Sequence, residues 1–126
     1  MTQDELLKLA ERVEALDGPD RTTAEQVMSC FGWTNFSGPF ATDPAGNRKF
    51  MPDPTASLDT AMSLVPEGWS VNIIRTADSR FGNANLYWFR DDNRIPAKKL
   101  HGSAATPALA LCAAALRTKA QETDSE

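Results

Sequence analysis

The residues able to do chemistry are few and scattered. His101 is the only histidine, so any Ser-His-Asp or Cys-His pair must use it. It follows Lys98-Lys99 in an edge strand or loop, and nothing beside it reads as a nucleophile elbow. Cys30 and Cys112 fall among apolar neighbours in helical stretches and read as buried free thiols rather than a disulfide. With His101 they show no zinc-ligand spacing. Asp91 and Asp92 are adjacent in a turn, where turn chemistry explains them better than paired acid–base work. Asp43, Asp53 and Asp59 match no calcium loop. The chain has neither G-x-G-x-x-G nor a phosphate-binding P-loop. These absences point to a non-enzymatic protein without catalytic residues, metal or cofactor. One constellation could bind: Arg75, Arg90, Arg94, Lys98 and Lys99 lie close in sequence to Tyr87, Trp88 and Phe89, and rings beside cations can stack single-stranded bases. A core sheet with a solvated basic rim accounts for the same residues and is preferred.

Local signals place these residues on elements. Thr2 and Glu5 form a capping box that opens a helix reaching Leu16, with Leu6, Leu9, Ala10, Val13 and Leu16 on one face. Thr22 and Glu25 repeat the pattern for a short helix ending at Gly32. Ser57 caps a helix carrying Leu58, Ala61, Met62 and Val65, which Pro66 ends. Gly68 permits a reversal into a strand in which Trp69, Val71 and Ile73 share the more apolar face. The stretch 57–74 reads as the organising element of the chain. Asn83–Arg90 is a second strand, apolar on both faces and so covered on both. A third at Arg94–Leu100 contains Pro96, which marks an edge. Thr106-Pro107 opens an alanine-rich helix to residue 120, able to approach its neighbour closely. Gln121–Glu126 is a polar tail. Residues 33–53 read as an ordered loop, with at most one short strand near Arg48–Met51, because a disordered linker would not hold Trp33, Phe36, Phe40 and Phe50.

The fold expected is α+β: one domain over residues 1–120, a small, mainly antiparallel sheet of about three strands, and about four helices flanking it. The 126 residues suffice for one core. No apolar run reaches membrane-span length, and the acidic, amphipathic start is no signal peptide, so a cytoplasmic protein without a membrane partner is expected. The net charge of −4 is unevenly spread. Residues 1–74 hold 5 Lys/Arg against 11 Asp/Glu, residues 75–101 hold 6 against 3, and residues 102–126 hold 2 against 3. The whole lacks the positive bias of a generic nucleic-acid binder.

Two segments, SLDTAMSLVPEGW at 57–69 and AATPALALCAAALRTKA at 104–120, stand with EALDGPDR at 14–21 and FGWT at 31–34. In that order they resemble a family of small phage and prophage proteins, the phage αβα-sandwich domain proteins. The resemblance implies a phage origin and a helix–sheet–helix sandwich, and it supplies no catalytic residues. It leads to an accessory protein acting on a host or phage protein in the host cytoplasm, such as an anti-CRISPR-like inhibitor of a defence system. The alternatives are a nucleic-acid or nucleotide binder and a minor virion structural or assembly protein. For a protein partner, the expected surface joins the acids Glu11 and Glu14 on the first helix, which can steer encounter, to aromatic anchors Trp33, Phe36 and Phe40.

Overall fold

The computed structural model describes residues 2–75, 82–88 and 98–124. Helix α1 (Gln3–Glu14) is capped by Thr2, whose hydroxyl accepts from the Glu5 N–H at 3.2 Å. Its buried side chains, Leu6, Leu9, Ala10 and Val13, are those its periodicity selects. Helix α2 (Arg21–Cys30) starts earlier than a Thr22 cap would allow. Asp20 is the cap instead: its carboxylate accepts from the N–H and hydroxyl of Thr23. The Asp20 N–H is itself held by the Thr55 hydroxyl at 3.1 Å. A carboxylate there also suits the positive end of the helix dipole.

Residues 33–53 are more regular than expected. They contain β1 (Thr34–Ser37), β2 (Phe40–Thr42) and β3 (Arg48–Phe50), which form a small antiparallel sheet in the order β1-β2-β3. Asn35, at φ +53°, sits where the β1–β2 register shifts; Asn tolerates this left-handed conformation better than most side chains. The β2–β3 turn is tied by Asp43, whose carboxylate accepts from the Asn47 N–H at 2.8 Å.

Helix α3 (Leu58–Met62) has the expected Ser57 cap but ends three residues before Val65. Its last turn tightens: the N–H groups of Leu64 and Val65 reach back three residues, to Ala61 and Met62. The chain then reverses at Gly68, φ +92°, into β4 (Trp69–Arg75). Strand β4 pairs antiparallel with β5 (Gly82–Trp88), and β5 with β6 (Lys98–Ala104). β6 holds the expected edge position and runs four residues beyond the expected end at Leu100, to Ala104. Residues 94–97 with Pro96, the connection after Ala77 and the turn at Asp91–Asn93 lie outside the described residues.

Helix α4 (Pro107–Asp124) begins with the Thr106 hydroxyl accepting from the Leu109 N–H. It runs past residue 120, so Gln121–Asp124 belongs to the helix and not to a tail. The core is built around α4 rather than around residues 57–74. Every side chain from Leu109 to Leu116 is fully buried, the pattern of a helix enclosed on all sides. α1 and α3 pack against it, and so do β5 and β6. Two glycines set its depth on the sheet. A Cβ on Gly102 would stand 2.0 Å from the Ala110 carbonyl oxygen, and one on Gly82 2.5 Å from the Pro107 nitrogen. Trp69 and Trp88, directly paired across β4 and β5, are half-buried rather than enclosed, because they stand at the end of the sheet away from Gly82 and Gly102. The class is therefore α+β, with four helices and two three-stranded antiparallel sheets among the described residues of one small domain. No described helix is long and apolar enough to cross a membrane.

Candidate functional site

The small sheet separates its aromatic residues by strand register. Ala41 stands opposite Lys49 on one face. Ala41 is fully buried, and the Lys49 ammonium sits 5.8 Å from the Trp33 ring and 3.1 Å from Asp43. The Asn47 N–H and the Lys49 ammonium hold the Asp43 carboxyl below the usual carboxylate range. Phe40 stands opposite Phe50 on the other face, followed by the Thr42–Arg48 pair. The two rings meet at 4.5 Å between centroids and 39° between planes. They remain 40% and 67% exposed, and Phe50 is the most exposed large apolar side chain described. Arg48 is exposed beside them, its guanidinium donating to the Asn35 carbonyl at 2.9 Å.

The expected protein-binding residues thus part company. Phe40 is on the surface. Phe36 is half-buried against the core, and Trp33 is buried within it at 9% exposure, because the turn after α2 folds its ring inward. Glu11 is exposed on α1. Glu14 is not a free surface acid. Its two oxygens take both terminal nitrogens of Arg117, at 2.8 and 2.5 Å, and one also accepts the Ser103 N–H at 2.9 Å. Arg117 in turn donates to the His101 carbonyl at 2.7 Å. The ion pair therefore satisfies backbone groups on the outer edge of β6 instead of facing a partner. Phe50 counts among the aromatic residues of 33–53 in the sequence, but sequence reasoning does not single it out as an anchor. Its signal was an aromatic in the one short strand foreseen, ten residues from Phe40.

The alternative nucleic-acid residues are brought only partly together. Lys98 lies 5.5 Å from the Trp88 ring and Lys99 5.7 Å from the Tyr87 ring, each across the β5–β6 ladder. Strand alternation puts these two pairs on opposite faces of the sheet. Trp88 and Lys98 share the face of Leu86, which packs toward α4; Tyr87 and Lys99 share the face of Asn85 and His101. Arg75 ends β4. Arg90 and Arg94 lie outside the described residues.

The remaining reactive groups are engaged. The His101 ring is hydrogen-bonded to Asn85 through Nδ1 at 2.9 Å. The Cys112 thiol donates to the Pro54 carbonyl, and burial pushes it up to about 12, far from a thiolate nucleophile. Burial also raises Cys30, whose thiol donates to the Gln26 carbonyl at 3.2 Å, and the two cysteines are not joined in a disulfide. Among the described residues, no three His, Cys, Asp or Glu side chains converge on a metal-sized site. Comparison of the chain with protein families, with curated proteins and with solved structures gives no match.

Proposed function

We propose that this chain acts by binding: a non-enzymatic accessory protein whose contact surface is the outer face of the small sheet, centred on Phe40 and Phe50. One observation carries the reading. Two phenylalanines meet ring against ring, tilted, at the surface, where burying them would have stabilised the fold instead. Rings already held against each other lose little conformational entropy on binding, and aromatic residues are typical anchors of protein interfaces. Arg48 beside them suits a partner that offers a carboxylate next to an apolar side chain. The resemblance of residues 57–69 and 104–120 to phage αβα-sandwich proteins supports a phage origin. A phage accessory protein of this kind acts on a protein of the host, and an anti-CRISPR-like block of a defence protein is the specific form we favour.

The test is capture from a bacterial lysate with tagged wild-type and Phe50→Ser proteins, followed by titration of whatever the wild type retains. Both proteins should melt alike, because Phe50 contributes little to the core. Phe50→Ser should weaken binding at least about thirtyfold, the effect of losing a hot-spot residue of about 2 kcal/mol. Equal affinity of the two proteins would remove the small sheet from the interface.

A nucleic-acid reading has one observation in its favour, the Lys98–Trp88 and Lys99–Tyr87 pairs. Their placement on opposite faces denies single-stranded bases a continuous stacking platform.

A further inference from the structure

The two edges of the larger sheet are treated differently. On β6, the Ser103 N–H and His101 carbonyl point away from β5, and the Glu14–Arg117 pair fills both. Antiparallel pairing alternates these directions residue by residue. Leu100, Gly102 and Ala104 therefore bond to Leu86, Ala84 and Gly82, so Asn83, Asn85 and Tyr87 bond to Ile74, Asn72 and Ser70. Val71 and Ile73 are left to direct their N–H and carbonyl groups away from the sheet. No described residue supplies or accepts a hydrogen bond there. Among the described residues, the edge from Trp69 to Ile74 lacks the usual guards, and the one charge of the strand is Arg75 at its end. From Trp69 to Ile74 it holds no proline and no charged residue, and its pairing with β5 runs without a bulge over all seven residues. The Val71 and Ile73 side chains are only half-buried, and Ile74 is 45% exposed.

We infer that β4 is an association edge on which a second copy of this chain pairs antiparallel, Trp69–Arg75 against Trp69–Arg75, about a two-fold axis through Asn72. The strand is complementary to itself in one register. With Asn72 opposite Asn72, every outward-directed residue, Trp69, Val71, Ile73 and Arg75, meets an outward-directed residue of the second copy; the Val71–Ile73 pairs supply the ladder bonds, since the Trp69 N–H already reaches the Pro66 carbonyl at 3.4 Å. On the α4 side, Val71 stands opposite Ile73 twice over, a favourable β-branched contact. On the other face the two Asn72 amides meet at the axis, and Ser70 stands opposite Ile74. The only charged residue of the strand, Arg75, falls opposite Trp69 rather than opposite its own copy, so the register opposes no like charges. A shift of two residues in either direction leaves outward groups of the strand unpaired. The product is a closed dimer with one six-stranded sheet.

Sedimentation equilibrium of the wild-type chain over a concentration series should show a monomer–dimer equilibrium. Val71→Pro removes an N–H that the monomer does not use, so the fold should survive. It deletes a ladder bond in each half of the dimer and should weaken association at least about tenfold. Cysteines report the register. Asn72 faces Asn72 as a non-hydrogen-bonded pair, with Cα atoms about 4.5 Å apart, within disulfide range. Asn72→Cys should therefore form an intermolecular disulfide on mild oxidation, above the wild-type background, whereas Ile74→Cys should not. A wild type that stays monomeric, a dimer that Val71→Pro leaves intact, or cross-linking through Ile74→Cys alone would each overturn the proposal. If Val71→Pro does not fold, the two cysteine variants decide alone. An edge that accepts only a strand from another protein would appear as a monomer and counts against it.

Discussion

Glu14 is the residue whose charge the fold uses most fully. It ends α1, where a carboxylate faces the negative end of the helix dipole, and it is partly buried; both disfavour its ionised form. Burial by itself would raise its pKa. The hydrogen bonds from Arg117 and Ser103, with the positive charge of Arg117, outweigh that and hold it below its ordinary value of 4.5. The same contact raises Arg117, whose charge is secure at any working pH. A carboxyl depressed in the folded state stabilises the fold at pH above its unfolded value, and the contribution disappears as pH falls through the folded value. Wild-type stability should therefore hold from neutral pH to about pH 5 and then fall. Glu14→Gln should be less stable at neutral pH by about 1–3 kcal/mol, because it leaves Arg117 uncompensated against the β6 edge. Its loss of stability below pH 5 should be shallower than that of the wild type. Chemical denaturation of both proteins at several pH values checks this. Parallel curves would mean that the ion pair is held by the fold without contributing to it.

Among the elements, α4 sets the tolerance of the whole structure to change. Gly102 has no positive φ, so replacing it adds no backbone strain; the penalty is the clash with the Ala110 carbonyl. Gly102→Ala should cost about 1–3 kcal/mol or more, as overpacking does. Gly18→Ala, where nothing lies within 4 Å, should be neutral and serves as its control. Leu111→Ala should cost about 2–5 kcal/mol, and half-buried Trp69→Ala less than a fully buried tryptophan would. Thermal melts of the four variants rank them. Much of this layout was legible. Thr2, Ser57 and Thr106-Pro107 announce their helices because capping is local chemistry, and the alternation from Trp69 to Ile73 gives the inward face of β4. The β6 boundary was not legible, since Gly102, Ser103 and Ala104 are poor strand formers selected by the approach of α4. The small sheet escaped because its strands are three or four residues long and one carries the Asn35 irregularity. The exposed aromatic pair escaped with it: Phe40 could be picked out as a surface anchor, but its pairing with Phe50 depends on the β2–β3 register. That Glu14 serves the β6 edge depends on a contact 103 residues away in sequence, at Arg117, which no local pattern encodes.

At the scale of the molecule, charge separates the two binding readings. The chain is acidic overall, most strongly in its first 74 residues, where 11 Asp/Glu face 5 Lys/Arg. A polyanion approaching the basic segment at 75–101 meets the field of the whole protein, and its attraction to a few lysines is screened beyond a Debye length of about 8 Å at physiological salt. Lys98 and Lys99 also lie over rings on opposite faces of the sheet, so one strand of nucleic acid cannot engage both as a single site. A fluorescent single-stranded oligonucleotide should therefore show no saturable binding at physiological salt. Whatever weak binding appears at low salt should vanish steeply as salt rises, the behaviour of phosphate contacts alone. A protein partner docked at Phe40 and Phe50 should behave differently. Its affinity should depend on salt mainly through the rate of encounter, since apolar anchors are indifferent to screening and the exposed acids of α1, Glu11 among them, act at long range. Glu11→Lys should accordingly slow association with a basic partner and flatten its salt dependence, with dissociation unchanged. Anisotropy titrations with the oligonucleotide and stopped-flow association with the captured partner read the two cases. Tight oligonucleotide binding that survives physiological salt and is lost in Lys98→Ala or Lys99→Ala would move the site from the small sheet to the β5–β6 ladder.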